Sequence, residues 1–492
     1  MAGVSSRLCA GTEPRRISLV SLETTRTPEL LSNNVSAVEP LCPSGTSPDA
    51  PAALPSDRVL AAGRFVSLVG ENISKIGTLR ETLTSLASGW SRRLSLRFFT
   101  AVLFLASPWF AISGSIKKSP ITIPITVADN LVYAQGRIND SPSLSVVLDT
   151  GSSVSIVTPA VAQQIGLRTS GSTQAAGIGH GSNQSLQFVE NATLQLGGDH
   201  SVLKLDGQRI AILPIGYVAD QVGLRTQAFF GSNVFKNFCV TVDYEHRLAT
   251  FARSCSPCGG SESIPIKILS DTPFVRAEVV APDGSHVTGL FLLDSGTTGA
   301  LILSKKFLLA HPQITAGRTP ISTPSVTAVG GKIEQKLVRI AGLDVGRFHF
   351  NHIIAAVPES SAGMLANSEI AGFIGAEVLR RFTVTWDYAQ ERMILLPNSD
   401  LYDGFEADCS GLRLTVSPPD YTTIRVEAVL PSSPGAKAGL HVGDVVTALD
   451  GKRDMQLWRI AEELKKPGTS PVLSIRRDHK DFQVTLHLRR LV

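Results

Sequence analysis

The chain has 492 residues, more than one hydrophobic core usually serves, so two to four domains are expected. Hydrophobic residues make up 43% of the chain and charged residues 18%, values that exclude a largely disordered protein. Residues 1–113 hold 11 Lys and Arg against 8 Asp and Glu, whereas the rest holds 35 against 34, and this nearly neutral body argues against nucleic acid as the partner.

Residues 1–90 are predicted to be a disordered or mis-annotated N-terminal extension, because their first part is rich in Ser, Pro, Thr and Ala without periodicity. Residues 91–114 are predicted to be a signal peptide or a membrane anchor. The apolar run 98–112 follows several Arg residues and has the length of a signal-peptide core. We therefore expect an exported protein of the periplasm or cell envelope, with membrane anchoring through residues 98–112 as the alternative.

The position of this segment is unusual, because no Met lies between Met1 and Met364 to start the chain later. An overlong gene model is one explanation, and an uncleaved anchor with a cytoplasmic tail is another. A buried helix of a soluble domain is a third reading, although such a helix would not need the basic residues that precede it.

An internal repeat fills most of the chain after this segment. Apolar strands run into the Asp-Thr/Ser-Gly triplets 149–151 and 294–296, which begin 145 residues apart. An apolar-apolar-Gly motif follows in each copy, ending at Gly231 after 82 residues and at Gly375 after 81. An Asp-Tyr pair follows after 94 and 93 residues. Anchors in such similar register indicate a duplicated domain.

The paired triplets and their downstream glycines resemble the aspartic protease family over about residues 117–400. Each copy is similar to a retropepsin-like domain, and the duplication gives the two-lobed arrangement of pepsin-like enzymes. The resemblance implies a mainly β fold with two β-barrel lobes, at residues 117–253 and 262–400. It also implies an aspartic endopeptidase that acts on a polypeptide substrate through Asp149 and Asp294, without a metal or a cofactor.

The chemistry explains why two Asp residues are needed. Hydrolysis without a covalent intermediate requires one carboxylate to take a proton from water and one carboxylic acid to protonate the carbonyl oxygen. Two carboxyls about 3 Å apart cannot both ionise, so they share a proton. Because the titration belongs to the pair, neither Asp149 nor Asp294 is assigned permanently as acid or base.

The residues after each Asp are expected to support the pair. Gly151 and Gly296 permit a tight turn and a close backbone approach. By resemblance, Thr150 and Ser295 would hydrogen-bond across the lobe interface and keep the carboxylates coplanar.

The resemblance also assigns roles to Ser152 and Thr297, which would donate to the outer carboxylate oxygens and favour ionisation. Gly231 and Gly375 would pack behind the active-site loops as scaffold. A flap over the substrate is expected at residues 176–181 or 328–331, both rich in Gly.

Two cysteines lie between the lobes, at Cys255 and Cys258. Their spacing fits a redox pair or half of a zinc site, but no second pair completes a tetrahedral site. We expect a disulfide between them, in the linker.

Residues 405–492 resemble a bacterial PDZ domain, with an Ala-Gly-Leu helix, a Gly-Asp before a strand and an Asp-Gly turn. PDZ domains bind an extended peptide as an added strand. By resemblance, the loop at Gly411 and Leu412 would hold the C-terminal carboxylate of a peptide or protein, and Leu457 or Ile460 would line the side-chain pocket. The alternative is that this module only packs against the protease lobes.

Two other functions remain open at this point. The lobes could be a catalytically inactive scaffold that presents the PDZ domain to envelope proteins. A carboxylate pair could also hydrolyse another bond, such as a glycosidic one, although the paired triplets argue against this.

Overall fold

The computed structural model describes residues 119–174, 185–198, 202–359 and 363–492. Among these residues no helix is both long enough and apolar enough to cross a membrane. The predicted signal segment 91–114 and the N-terminal extension lie outside the described residues.

Lobe 1 is built mainly from strands. Its strands are β1 (Ile121–Pro124), β2 (Thr126–Ala128), β3 (Leu131–Ile138), β4 (Leu144–Leu148), β5 (Ser155–Val157), β6 (Gly171–Gln174), β7 (Ser185–Leu196), β8 (Leu203–Ile212), β9 (Ala228–Phe230), β10 (Cys239–Asp243) and β11 (Leu248–Ala252). Its helices are α1 (Pro159–Gln164), α2 (Tyr217–Val222) and α3 (Ser232–Phe235).

Lobe 2 repeats this plan. Its strands are β12 (Glu262–Pro265), β13 (Lys267–Leu269), β14 (Thr272–Val280), β15 (His286–Asp294), β16 (Leu301–Leu303), β17 (Ile321–Ser322), β18 (Val326–Ala328), β19 (Gly331–Ile333), β20 (Gln335–Arg339), β21 (Gly342–Val345), β22 (Phe348–Asn351), β23 (Ile354–Pro358), β24 (Ile370–Gly375), β25 (Phe382–Asp387) and β26 (Arg392–Pro397). Its helices are α4 (Lys305–Ala310) and α5 (Ala376–Leu379), with short 3₁₀ turns at Pro312–Thr315, Gly363–Ala366 and Tyr388–Gln390.

The C-terminal domain has its own sheet, in the order β27-β28-β29-β30-β31. The strands are β27 (Leu412–Thr415), β28 (Ile424–Val429), β29 (Val445–Leu449), β30 (Val472–Arg477) and β31 (Lys480–Thr485), and the helices are α6 (Pro434–Lys437) and α7 (Leu457–Leu464). A separate hydrophobic core fills this domain.

The duplication is visible in the turns as well as in the strands. The hairpin β2–β3 turns at Asp129 and Asn130, and the hairpin β13–β14 turns at Ser270 and Asp271, all four with positive φ. Two successive left-handed residues form the tight turn that suits the twist of a hairpin. The first hairpin of each lobe therefore has the same kind of tight turn.

A sheet in the order β1-β11-β10-β25-β26-β12 joins the lobes, with three strands from each. At its centre Thr241 lies opposite Thr385, and their hydroxyls are 2.8 Å apart. The buried residues around this sheet belong to one hydrophobic cluster that extends into both lobes. The lobes are therefore held together by backbone pairing and a shared core, which fixes the position of one triplet relative to the other.

Candidate active site

Each Asp-Thr/Ser-Gly triplet lies where an apolar strand leaves its sheet. Strand β4 runs parallel to β9, and β15 runs parallel to β24, so each triplet starts beside the apolar-apolar-Gly motif of its own lobe. The Asp149 N–H donates to the Phe230 carbonyl at 3.0 Å, and Asp294 is paired with Gly375. The sequence repeat thus becomes two equivalent loops that face each other.

Reciprocal hydrogen bonds lock these loops together across the lobe interface. The Thr150 N–H donates to Ser295 Oγ, and the Ser295 N–H donates to Thr150 Oγ1, both at 3.0 Å. Each hydroxyl then donates to the opposite lobe, Thr150 to the Leu293 carbonyl at 2.8 Å and Ser295 to the Leu148 carbonyl at 2.9 Å. Thr150 and Ser295 therefore occupy the positions that their expected role requires.

Asp149 and Asp294 lie side by side, each against the glycine of the other triplet. A Cβ on Gly296 would lie 2.6 Å from Asp149 Oδ1, and one on Gly151 would overlap with the Asp294 carboxylate. Within its own loop, each carboxylate accepts an N–H from its own glycine at 2.9 Å. Glycine is required at both positions because any side chain would displace the opposite carboxylate.

The two carboxyls differ in their surroundings. Burial raises the pKa of Asp149 well above its usual value, and the neighbouring charge of Asp294 raises it further. Burial also raises the pKa of Asp294, but the Thr297 hydroxyl, which donates to Asp294 Oδ2 at 2.7 Å, lowers it. The Thr297 hydroxyl thus stabilises the ionised form of Asp294.

Ser152 breaks the expected symmetry. Its hydroxyl donates to the Val154 carbonyl at 2.7 Å rather than to an outer oxygen of Asp149. Its side chain is buried, and this local carbonyl is close enough to satisfy it. The expectation that Ser152 donates to an outer oxygen of Asp149 is therefore wrong, whereas the Thr297 hydroxyl donates to Asp294 as expected.

Gly231 and Gly375 lie directly behind the two loops. A Cβ on Gly231 would overlap with the Ser152 carbonyl oxygen, and one on Gly375 with the Gly299 carbonyl oxygen. The apolar-apolar-Gly motif thus lets one strand pass against the active-site loop without a gap.

A cleft of about 1290 Å³ opens above the dyad and is lined by both lobes. This volume exceeds that of typical small-ligand pockets and suits several residues of an extended peptide. The expected flap at residues 328–331 is the turn of the β18–β19 hairpin, and its residues line the cleft. The other candidate, 176–181, lies outside the described residues.

Tyr217 is a cleft residue that the sequence analysis missed. It starts helix α2, and both Tyr217 and Val329 of the hairpin turn pack against one apolar cluster of lobe 1. Tyr217 lines the same cleft as Asp149 and Asp294. Burial raises its pKa, and the charges of Asp149 and Asp294 raise it further. Tyr217 belongs to no repeated motif, so the only available signal was a rare tyrosine between two anchors.

The predicted PDZ residues lie on β27, on the loop before it and on helix α7, and we call the space between the outer edge of β27 and helix α7 the PDZ groove. Leu412, Leu457 and Ile460 are buried in the core of the domain. The N–H groups of Gly411 and Leu412, expected to hold a peptide carboxylate, donate instead to Asp408 and to Ser410 Oγ. In this structure the donors of the loop are thus used inside the domain.

The cysteines pair differently from the expectation. Cys255 forms a disulfide with Cys239, with Cα atoms 6.0 Å apart, and Cys258 carries a free thiol. Cys239 lies opposite Ala252 in the β10–β11 ladder, so the chain that leaves β11 passes beside it. The expected disulfide between Cys255 and Cys258 is therefore wrong, because strand pairing brings a more distant cysteine closer.

Comparison with known proteins finds matches to two segments of the chain. A family model described as aspartyl protease matches residues 134–233, and one described as PDZ domain matches residues 425–477. No curated protein matches the chain. Among solved structures, the aspartic proteinase from Irpex lacteus aligns with a TM-score of 0.35 and 14% identity, over 58% of this chain and 99% of that one.

The predicted fold class is confirmed, because the chain is mainly β, with an aspartic protease-like fold and a C-terminal PDZ domain. The chain thus carries an aspartyl protease domain, matched over residues 134–233, and a PDZ domain, matched over residues 425–477.

Proposed function

We propose that the protein is an aspartic endopeptidase that hydrolyses peptide bonds with a water molecule activated between Asp149 and Asp294. The observation that carries this proposal is the reciprocal pairing of Thr150 and Ser295, which holds the buried carboxyl of Asp149 and the half-buried carboxyl of Asp294 together in the cleft. Such pre-organisation is what a dyad needs, because the carboxyls do not have to move to act.

The asymmetry of the dyad assigns a starting role to each carboxyl. Asp294 takes a proton from water while the water oxygen attacks the peptide carbonyl carbon, and Asp149 gives its proton to the carbonyl oxygen. Asp294 then gives its proton to the leaving nitrogen, and Asp149 recovers one from the diol as the C–N bond breaks. The products are a carboxylic acid and an amine, and the dyad returns to its first state.

We also propose that the protein is exported and that its PDZ domain recruits substrates or controls access to the cleft. The basic and apolar pattern of residues 91–114 supports export. The Cys239–Cys255 disulfide gives independent support, because disulfides persist mainly in oxidising compartments.

Cleavage of a mixed peptide library between pH 3 and 7 tests the proposed activity. The full chain is compared with Asp149→Asn, Asp294→Asn and the control Asp243→Asn, a strand-end aspartate that binds His246 at the surface. Wild type and control should cleave at the same bonds, and both dyad variants should lose at least about a hundredfold in rate. A transition-state mimic of the statine type should inhibit both active proteins.

Two results would contradict the proposal. If no protein cleaves any peptide, the lobes are a scaffold for the PDZ domain. If all four proteins cleave equally, the activity does not come from this dyad.

A further inference from the structure

A segment of lobe 1 lies at one end of the PDZ groove, where β27 ends and α7 begins. Helix α2 and the residues that follow it, 217–224, pack beside the free edge of β27 and the first turn of α7. The Asp220 carbonyl accepts the Val416 N–H at 3.0 Å and the Thr415 hydroxyl at 3.1 Å. An added peptide strand would use the same edge, so the segment holds a position that a ligand needs.

Side-chain packing reinforces this contact. Gly223 lies so close to α7 that a Cβ on it would collide with the Leu457 side chain. Trp458, on the same turn of α7, is half-buried and packs against the apolar cluster of lobe 1 that contains Val218 and Val222. Trp458 thus belongs to the apolar cluster of lobe 1, whereas its neighbour Leu457 belongs to the core of the PDZ domain.

The carboxylate loop is occupied in a parallel way. Asp408 accepts the N–H groups of Ser410 and Gly411, and the Leu412 N–H donates to Ser410 Oγ. A carboxylate from the domain itself thus takes the donors that would hold the terminal carboxylate of a peptide. The loop and the end of the strand edge both make hydrogen bonds within the chain.

The same lobe 1 segment reaches the active-site cleft with its other face. Gln221 Nε2 donates to the Thr327 carbonyl at 3.2 Å, and Tyr217 and Val329 pack against the same apolar cluster, so helix α2 holds the β18–β19 hairpin at the cleft. The PDZ domain also contacts the approach to this hairpin, since Arg413 donates to the Pro324 carbonyl. One short helix thus connects the PDZ groove with the cover of the cleft.

We propose that residues 217–224 are the resident occupant of the PDZ groove and form a latch, so that a peptide entering the groove releases Tyr217 and the 326–333 hairpin from the cleft. The effect of the latch on proteolysis rests on the proposed function, whereas the existence of the latch does not depend on that function. The partner that opens it is a peptide with a free C-terminal carboxylate, because the loop and the strand edge are the features that recognise one.

Hydrogen–deuterium exchange of the full chain tests the latch without any need for catalysis. Trp458→Ala removes the docking side chain, and Val442→Ala, at a residue 68% exposed on the same domain, is the matched control. Trp458→Ala should speed exchange of the protected amides in 217–224 and 326–333 by about tenfold, with β28 to β31 unchanged. Val442→Ala should match the wild type.

A second variant covers the case in which Trp458→Ala unfolds the PDZ domain. Thr415→Val keeps the shape of the side chain and removes its hydrogen bond to Asp220, so it should speed exchange in the same two regions by a smaller factor. If the folded variants exchange like Val442→Ala in both regions, the latch does not exist.

Binding of an immobilised library of C-terminal heptapeptides supplies the second arm, with amidated peptides as the control. Trp458→Ala should bind carboxylate-ended peptides more tightly than the wild type, by about tenfold, because it need not displace the latch first. Equal binding by the two proteins would overturn the proposed competition. An intact latch in a protein that cleaves nothing would leave this inference standing and refute only the proposed activity.

Discussion

At the scale of single residues, the hydroxyl residues that follow the two triplets make different hydrogen bonds, although the two sequence motifs are nearly identical. Thr297 donates to Asp294, whereas Ser152 donates to a backbone carbonyl of its own loop. A donor to a carboxylate stabilises the ionised form, so one lobe supplies a better base than the other. Two nearly identical sequence motifs thus give unequal chemical environments.

We predict that Thr297→Val shifts the acid limb of the pH–rate profile upward. Without its hydroxyl donor the pKa of Asp294 rises, so the ionised carboxylate that accepts a proton from water is lost at a higher pH. The shift should be about one pH unit, measured as kcat/KM across pH 3 to 7. Ser152→Ala is the control and should leave the limb in place, because its hydroxyl does not reach Asp149; an equal shift in both variants would refute the asymmetry.

The parts of the site that could be predicted all occur twice in the sequence, once in each lobe. The triplets, the downstream glycines and the pairing of Thr150 with Ser295 follow from the duplication and from the resemblance it carries. Tyr217 could not be found in this way, because it belongs to one lobe and acts only after folding brings α2 to the cleft. The bond from Ser152 to Val154 was equally hidden, since two nearby acceptors compete for one hydroxyl.

At the scale of elements, the pairing of strands determines which cysteines and which segments meet, and the spacing of residues in the sequence does not show this. The sequence predicts strands and their order well, because each lobe repeats the same apolar pattern. Cysteine pairing depends instead on which strand ends meet, and Cys239 meets Cys255 only through the β10–β11 ladder. The docking of α2 in the PDZ groove depends in the same way on contacts between residues almost two hundred positions apart.

We predict that Cys255→Ser destabilises the protein and that Cys258→Ser does not. The Cys239–Cys255 disulfide closes a segment of 16 residues, and a loop of this size is worth about 3 kcal/mol in the free energy of unfolding. Urea unfolding under oxidising conditions measures the loss. A linkage between Cys255 and Cys258 would instead make both variants lose stability, and peptide mapping of the oxidised protein would show it.

At the scale of the whole molecule, burial of the dyad makes stability depend on pH. The folded-state pKa of Asp149 is raised above its unfolded value, so the folded protein binds more protons. This contribution to stability is fully present below the unfolded pKa, about 3.9, and is lost as the pH rises through the folded pKa. The active site therefore costs the fold free energy at neutral pH.

We predict that Asp149→Asn unfolds at a higher temperature than the wild type at pH 7. The amide cannot ionise, so it avoids the loss, and each unit of pKa shift corresponds to about 1.4 kcal/mol. The gain should shrink toward pH 4, where Asp149 of the wild type is protonated as well. Thermal unfolding at both pH values measures this gain, with Asp243→Asn as the control. If Asp149→Asn were less stable than the wild type at pH 7, the buried carboxyl of Asp149 would not lower the stability of the folded protein.

The sheet shared by the lobes has a consequence for how such a chain can change over time. Thr241 faces Thr385 at the centre of a nearly two-fold arrangement, in which β10 of lobe 1 pairs with the equivalent strand β25 of lobe 2. A single lobe could therefore pair through the same strand with a second copy of itself. Covalent linkage gives each lobe a partner at a fixed, high effective concentration, whatever the amount of protein. Selection then no longer has to keep both copies identical, and one half can specialise while the other preserves the reaction. The unequal hydroxyls of Ser152 and Thr297, and a PDZ domain that docks on a helix of lobe 1, are what such freedom would produce.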